Sequence, residues 1–170
     1  MSNSAHCPLV VDITLQAEGW PEEELLSKRI ESCLVAAFQS VKLEVIPDTE
    51  VSLVFSDDAQ VQELNRMWRN KDKPTNVLSF PGDDKEEPPY GPLLGDIILA
   101  RETVERESGD LGIPFDHHLA HLIVHGTLHL FGYDHQDDEE AEEMEGEERK
   151  ILALLGIPDP YQDAPLSADE

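Results

Sequence analysis

The sequence predicts an α+β fold in which a small mixed β-sheet packs with helices. Short runs of alternating apolar residues mark strands, and apolar stripes of 3.6-residue period mark longer helices. The two kinds of element are interleaved without strict βαβ alternation, and no repeat or linker divides the chain. Residues 1–158 therefore read as one domain, and residues 159–170, with little to bury, as a disordered tail.

In chain order, residues 9–16 place Leu9, Val11, Ile13 and Leu15 on one face, the pattern of a half-buried strand. Gly19 and Pro21 open a helix to about Ser40, with Leu25, Leu26, Ile30, Cys33, Leu34, Ala37 and Phe38 as its apolar stripe. Leu43 and Val45, then Val51, Leu53 and Phe55, form two alternating runs around a turn at Pro47–Asp48. Asp57 is placed to cap a second helix carrying Val61, Leu64 and Trp68. Strands are expected at 75–80 and 94–100, separated by a polar, proline-rich loop at 83–92 that is expected to be mobile. A short helix at about 101–108 ends near Gly109, and a longer one runs from about Pro114 through Leu130. A last helix, about 138–155, buries Ala141, Met144, Ile151, Leu152 and Leu155 before Gly156 and Pro158 stop it.

Composition narrows the function. No apolar run approaches the roughly 20 residues that span a bilayer, and the N-terminus lacks the pattern of a signal peptide. Two cysteines without a pairing motif fit a reducing cytoplasm, so a cytoplasmic protein with no membrane partner is expected. The formal net charge of −25 weighs against nucleic-acid partners, because phosphates repel an acidic surface. The segment from Arg66 to Lys73 is the opposite: Arg66, Arg69, Lys71 and Lys73 stand against Asp72 alone, which gives an anion one attractive spot. The nine acidic residues within 137–148 read as a solvated helix face with no catalytic role.

Residues 125–135, HGTLHLFGYDH, carry the chemistry. His125 and His129 are four apart, so a helix stacks them on one face, one turn from each other. Gly132 can take the left-handed conformation that ends the helix and returns His135 as a third ligand. Three histidines suit one zinc ion per chain and leave a coordination position open, as catalytic sites do. Copper, nickel and iron also accept imidazole, so metal binding is better defined than the metal. His117, His118 and His121 could back a ligand, but a solvated helix face accounts for them as well and is the reading adopted.

The spacing H-x3-H-x2-G-x2-H also occurs in zinc endopeptidases, which place a glutamate general base directly after the first histidine. Here that position is Gly126. A phosphodiester needs less from such a base, because a metal can hold the phosphoryl oxygen while a cation stabilises the growing charge. Arg69 offers the cation, although spacing alone would make it a surface residue. Lys71 and Lys73 could bind backbone phosphates, and Asp134 either orients a histidine or ends a turn.

RNKDKPTNVLSFPG at 69–82, LLGDIIL at 93–99 and HLIVHGTLHLFGYDH at 121–135 together resemble the YbeY family of bacterial endoribonucleases, also called the ribosomal-RNA maturation factor. The resemblance spans roughly residues 50–156. It implies a zincin-like fold and a zinc-dependent, single-strand-specific endoribonuclease acting in ribosomal-RNA maturation and ribosome quality control. It places the ligands on His125, His129 and His135 and the important arginine on Arg69. Expected partners are single-stranded and ribosomal RNA, the ribosome and ribosomal proteins, and not DNA. Two alternatives stand beside it: a ribosome-assembly factor with a mainly structural metal, and a metalloprotease, which Gly126 disfavours. The nucleophile is left open between water and the substrate's 2′-hydroxyl.

Overall fold

The computed structural model describes residues 7–82, 88–134 and 137–160. Strand β1 (Val10–Leu15) leads through helix α1 (Glu23–Ser40) to the parallel strand β2 (Glu50–Ser56). A parallel pair needs such a crossover, since a tight turn can only reverse the chain. Helix α2 (Asp58–Arg69) follows, then β3 (Val77–Pro81) and β4 (Leu93–Ala100). β4 inserts between β2 and β3, parallel to the first and antiparallel to the second. The sheet is therefore mixed, in the order β1-β2-β4-β3, with β3 at an edge. Helices α3 (Arg101–Leu111), α4 (Phe115–Leu130) and α5 (Asp138–Leu154) complete the chain.

Alternation along the strands separates two cores. Val51, Leu53, Phe55, Ile97 and Leu99 face α1, α4 and α5 and join the main core. Leu78 and Ile98, paired across β3 and β4, point the other way and pack with Val61 of α2. Every residue of α4 from His118 to Leu128 is buried, so this helix is held on all sides. No helix among the described residues is long and apolar enough to cross a membrane.

Asp57 caps α2 as expected, its Oδ1 accepting the Gln60 N–H at 2.9 Å. Gly132 also behaves as expected: at φ 97° it ends α4, with Gly132 N–H donating to His129 O and Tyr133 N–H to Leu128 O, both at 3.0 Å. Helix α3, however, passes Gly109 and stops at Gly112, where φ is 70° and Ile113 N–H reaches Ser108 O. The first glycine met is not the stop; the stop is the one whose reversal satisfies the last carbonyls.

Three apolar residues lie outside the core that their stripes predict. Leu15 lies at the end of an edge strand and Leu25 on the open side of α1, and both are exposed. Trp68 continues the stripe of Val61 and Leu64, but α2 overruns the second core and leaves the indole 68% exposed. Within the proline-rich loop, residues 83–87 lie outside the described residues. Tyr90 is fixed, its backbone pairing with Val45 and its hydroxyl donating to Phe131 O at 3.3 Å. Of the expected tail, residues 161–170 lie outside the described residues, while Asp159 still accepts from Arg149 at 3.2 Å.

Candidate active-site cleft

A cleft of about 350 Å³ opens where the C-terminal half of α4 meets the edge strand β3. Its lining includes His125 and His129 from α4, Ser79 from β3, Asp134 from the turn after α4, and Arg69 from the end of α2. Three separate stretches of sequence thus converge. The helical spacing brings the rings of His125 and His129 together, with centroids 4.7 Å apart and planes at 84°. His135 follows Asp134 directly but lies outside the described residues, so its place is not part of this geometry. Lys71 and Lys73 are not among the residues that line the cleft.

Arg69 is positioned by the turn that follows it. Asn70 takes a left-handed conformation at the end of α2, and Asn65 Nδ2 donates to Lys73 O at 2.9 Å. Gln62 Nε2 donates to Asp72 Oδ1 at 3.0 Å, tying the same turn to the helix once more. The segment from Arg69 to Lys73 is therefore fastened to α2 at two points.

Behind the cleft stands a residue that the sequence reading assigned to solvent. Glu148 of α5 is fully buried. Its Oε1 lies 2.7 Å from His121 Nε2 and its Oε2 lies 2.7 Å from His125 Nδ1. Burial alone would raise this carboxyl, but hydrogen bonds from His121 and then His125 outweigh it and hold it well below the usual carboxylate range. Since the carboxylate accepts both bonds, His125 carries its proton on Nδ1, and its Nε2 is the nitrogen with a lone pair for a ligand. In metal sites a carboxylate placed in this way orients the ligating imidazole and raises its basicity.

The reading of His118 and His121 as a solvated face fails for the same reason: both are buried, and His118 Nε2 donates to Glu107 Oε1 at 2.8 Å. A signal for Glu148 was present. It falls on the stripe of Ala141, Met144, Ile151, Leu152 and Leu155, the one acidic residue at a position where that helix buries its side chains.

Gly126, between the two histidines, is packed tightly. A Cβ there would lie 3.1 Å from both Ile97 Cγ2 and Ser79 Oγ, so any side chain would require these two neighbours to shift by a few tenths of an ångström.

Fold and cleft together define a small mixed α/β protein with a histidine- and arginine-lined cleft at the edge of its sheet. The chain belongs to the endoribonuclease YbeY family, whose model matches residues 14–156. An endoribonuclease YbeY of Agrobacterium fabrum is 53% identical over 160 residues, covering 90% of this chain and 95% of the relative. One of Sinorhizobium fredii is 52% identical over 163 residues, covering 92% and 94% respectively. The solution structure of TM1509 from Thermotoga maritima shares the fold, with a TM-score of 0.55 at 24% identity over 91% of this chain and 97% of that one.

Proposed function

We propose that this protein is a metal-dependent endoribonuclease that cuts single-stranded RNA in ribosomal-RNA maturation and ribosome quality control, with zinc as its ion. The observation that carries this reading is the convergence of His125, His129 and Arg69 on one cleft. The donor set fits a metal. Two imidazoles sit one helical turn apart, and Glu148 fixes the first in the tautomer that offers Nε2. His125, His129 and His135 would hold the ion, in a zincin-like arrangement. When bound it supplies Lewis acidity to a phosphoryl oxygen.

The chain's own groups do the rest. The planar guanidinium of Arg69 can bind two phosphoryl oxygens at once and stabilise the charge that develops on them. Lys71 and Lys73, beyond the lining, are suited to flanking phosphates of the backbone. Gly126 speaks against the peptidase reading on steric grounds as well as chemical ones. The glutamate that a zinc peptidase needs there would crowd Ile97 and Ser79, each 3.1 Å from its Cβ. The acidic bulk, net −25, makes weak intrinsic affinity for RNA the expectation and leaves ribosomal proteins to supply docking.

Two substitutions separate the roles. Arg69→Glu should retain one equivalent of metal and lose roughly 10²–10³-fold in cleavage of a single-stranded RNA. His129→Ala should lose the metal, measured by elemental analysis, together with the cleavage. Unchanged turnover in Arg69→Glu, or full metal in His129→Ala, would contradict the assignment.

A further inference from the structure

The molecule has two tryptophans, and they differ in every respect. Trp20 donates its indole N–H to Ser56 O at 3.0 Å and packs edge-on against Phe55 and Phe115, with centroids at 5.0 and 6.0 Å. Trp68 is 68% exposed, beside Met67 at 59%, in the last turn of α2. A tryptophan side chain is ordinarily among the most buried on average, because its large apolar surface gains most from leaving water. Here the apolar stripe of α2 runs on past the core that Val61 and Leu64 serve, and delivers an indole to the surface.

Its setting defines what would cover it. Trp68 directly precedes Arg69, which lines the cleft, and Arg66, Lys71 and Lys73 are close in sequence. Arg66 pairs with Glu63, yet the segment 66–73 still carries a net positive charge in a strongly acidic chain. An aromatic ring within a cation-rich segment is a composition that binds single-stranded nucleic acid: the cations track phosphates and the ring stacks on a base. Tryptophan and arginine are also enriched at protein interfaces; here the excess of cations in an otherwise acidic chain favours a polyanion. Trp68 and Arg69 have Cα atoms about 3.8 Å apart, but successive side chains leave a helix in different directions. The indole therefore flanks the cleft rather than lining it, on the path of a nucleotide next to a phosphate held by Arg69.

We propose that Trp68 is a stacking platform for an unpaired nucleobase adjacent to the phosphate engaged at Arg69. This rests on the endoribonuclease reading and deepens it. A base inside a duplex is already stacked and cannot be offered to the ring, so Trp68 favours single-stranded substrate.

The test compares the full-length protein with Trp68→Ala and Trp68→Phe on a labelled single-stranded oligoribonucleotide and on its duplex. Trp68→Ala should raise KM roughly 5- to 150-fold on the single strand, the range that base–aromatic stacking spans, with kcat nearly unchanged. Trp68→Phe should recover most of that loss. Indole fluorescence supplies a readout independent of cleavage. The single strand should quench wild-type emission and leave that of Trp68→Phe, which retains only Trp20, unaltered. An unchanged KM in Trp68→Ala overturns the proposal. If wild-type protein cleaves nothing, the endoribonuclease reading fails, and quenching still decides the stacking: quenching that requires Trp68 upholds it, and its absence overturns it.

Discussion

Helix α4 carries two histidine–carboxylate pairings that match in bond length and differ in what lies beyond them. Near its start, His118 donates to Glu107 at 2.8 Å; further along, His121 and His125 both donate to Glu148 at 2.7 Å. Glu107 keeps a side chain 29% exposed and also accepts from Asn76 Nδ2, at 2.9 Å, so it fastens α3 to α4 and to the segment before β3. Glu148 has no exposed surface, and one of its two histidines lines a cleft shared with His129 and Arg69. A buried histidine–carboxylate pair is thus a structural device in itself. Under the proposed metal site, the Glu148 pairing would in addition orient the ring of His125 for the ion.

The comparison can be broken most sharply at Glu148. Glu148→Ala leaves two buried imidazole N–H groups without their acceptor, and breaking such a pair costs about 3–5 kcal/mol. Loss of the orienting carboxylate should also weaken metal binding roughly 10–100-fold. Urea denaturation and metal titration read the two effects, and metal affinity equal to wild type would show that Glu148 is only structural. Glu107→Ala should cost less, about 1–3 kcal/mol, and leave metal affinity unchanged. A fall in metal affinity there would erase the distinction between the two pairs.

The smallest effect expected is on acid stability. Burial would raise the Glu107 carboxyl, but hydrogen bonds from His118 and Asn76 and the charges of His118 and Arg106 hold it below its ordinary value of 4.5. A carboxylate lowered in the folded state stabilises fully above the unfolded value and loses that contribution as pH falls through the folded one. Wild type should therefore lose more stability than Glu107→Gln when urea midpoints at pH 7 are compared with those well below pH 4.5. Parallel acid profiles would contradict the linkage.

How much the sequence showed follows from how local each feature is. The histidine pair and the Gly132 stop lie within one helix and its end, so spacing alone places them. Alternation likewise finds β2, and a continuous apolar run finds β4; the two strands pair in register and feed the cores. Arg69 reaches the cleft only because β4 inserts between β2 and β3 and α2 packs against β4, a tertiary fact that spacing does not contain. Glu148 and Trp68 are opposite errors from one cause. Charge hid a residue that the stripe of α5 buries, and hydrophobicity implied burial for one that α2 carries beyond its core.

The most direct test of the account strips the protein of metal with a chelator, returns zinc, and follows a labelled single-stranded RNA at each stage beside His125→Ala. The account predicts cleavage that disappears on stripping, returns with zinc, and is absent from His125→Ala throughout. Cleavage that persists in the stripped protein, or in His125→Ala, would contradict a metal-dependent centre at this cleft.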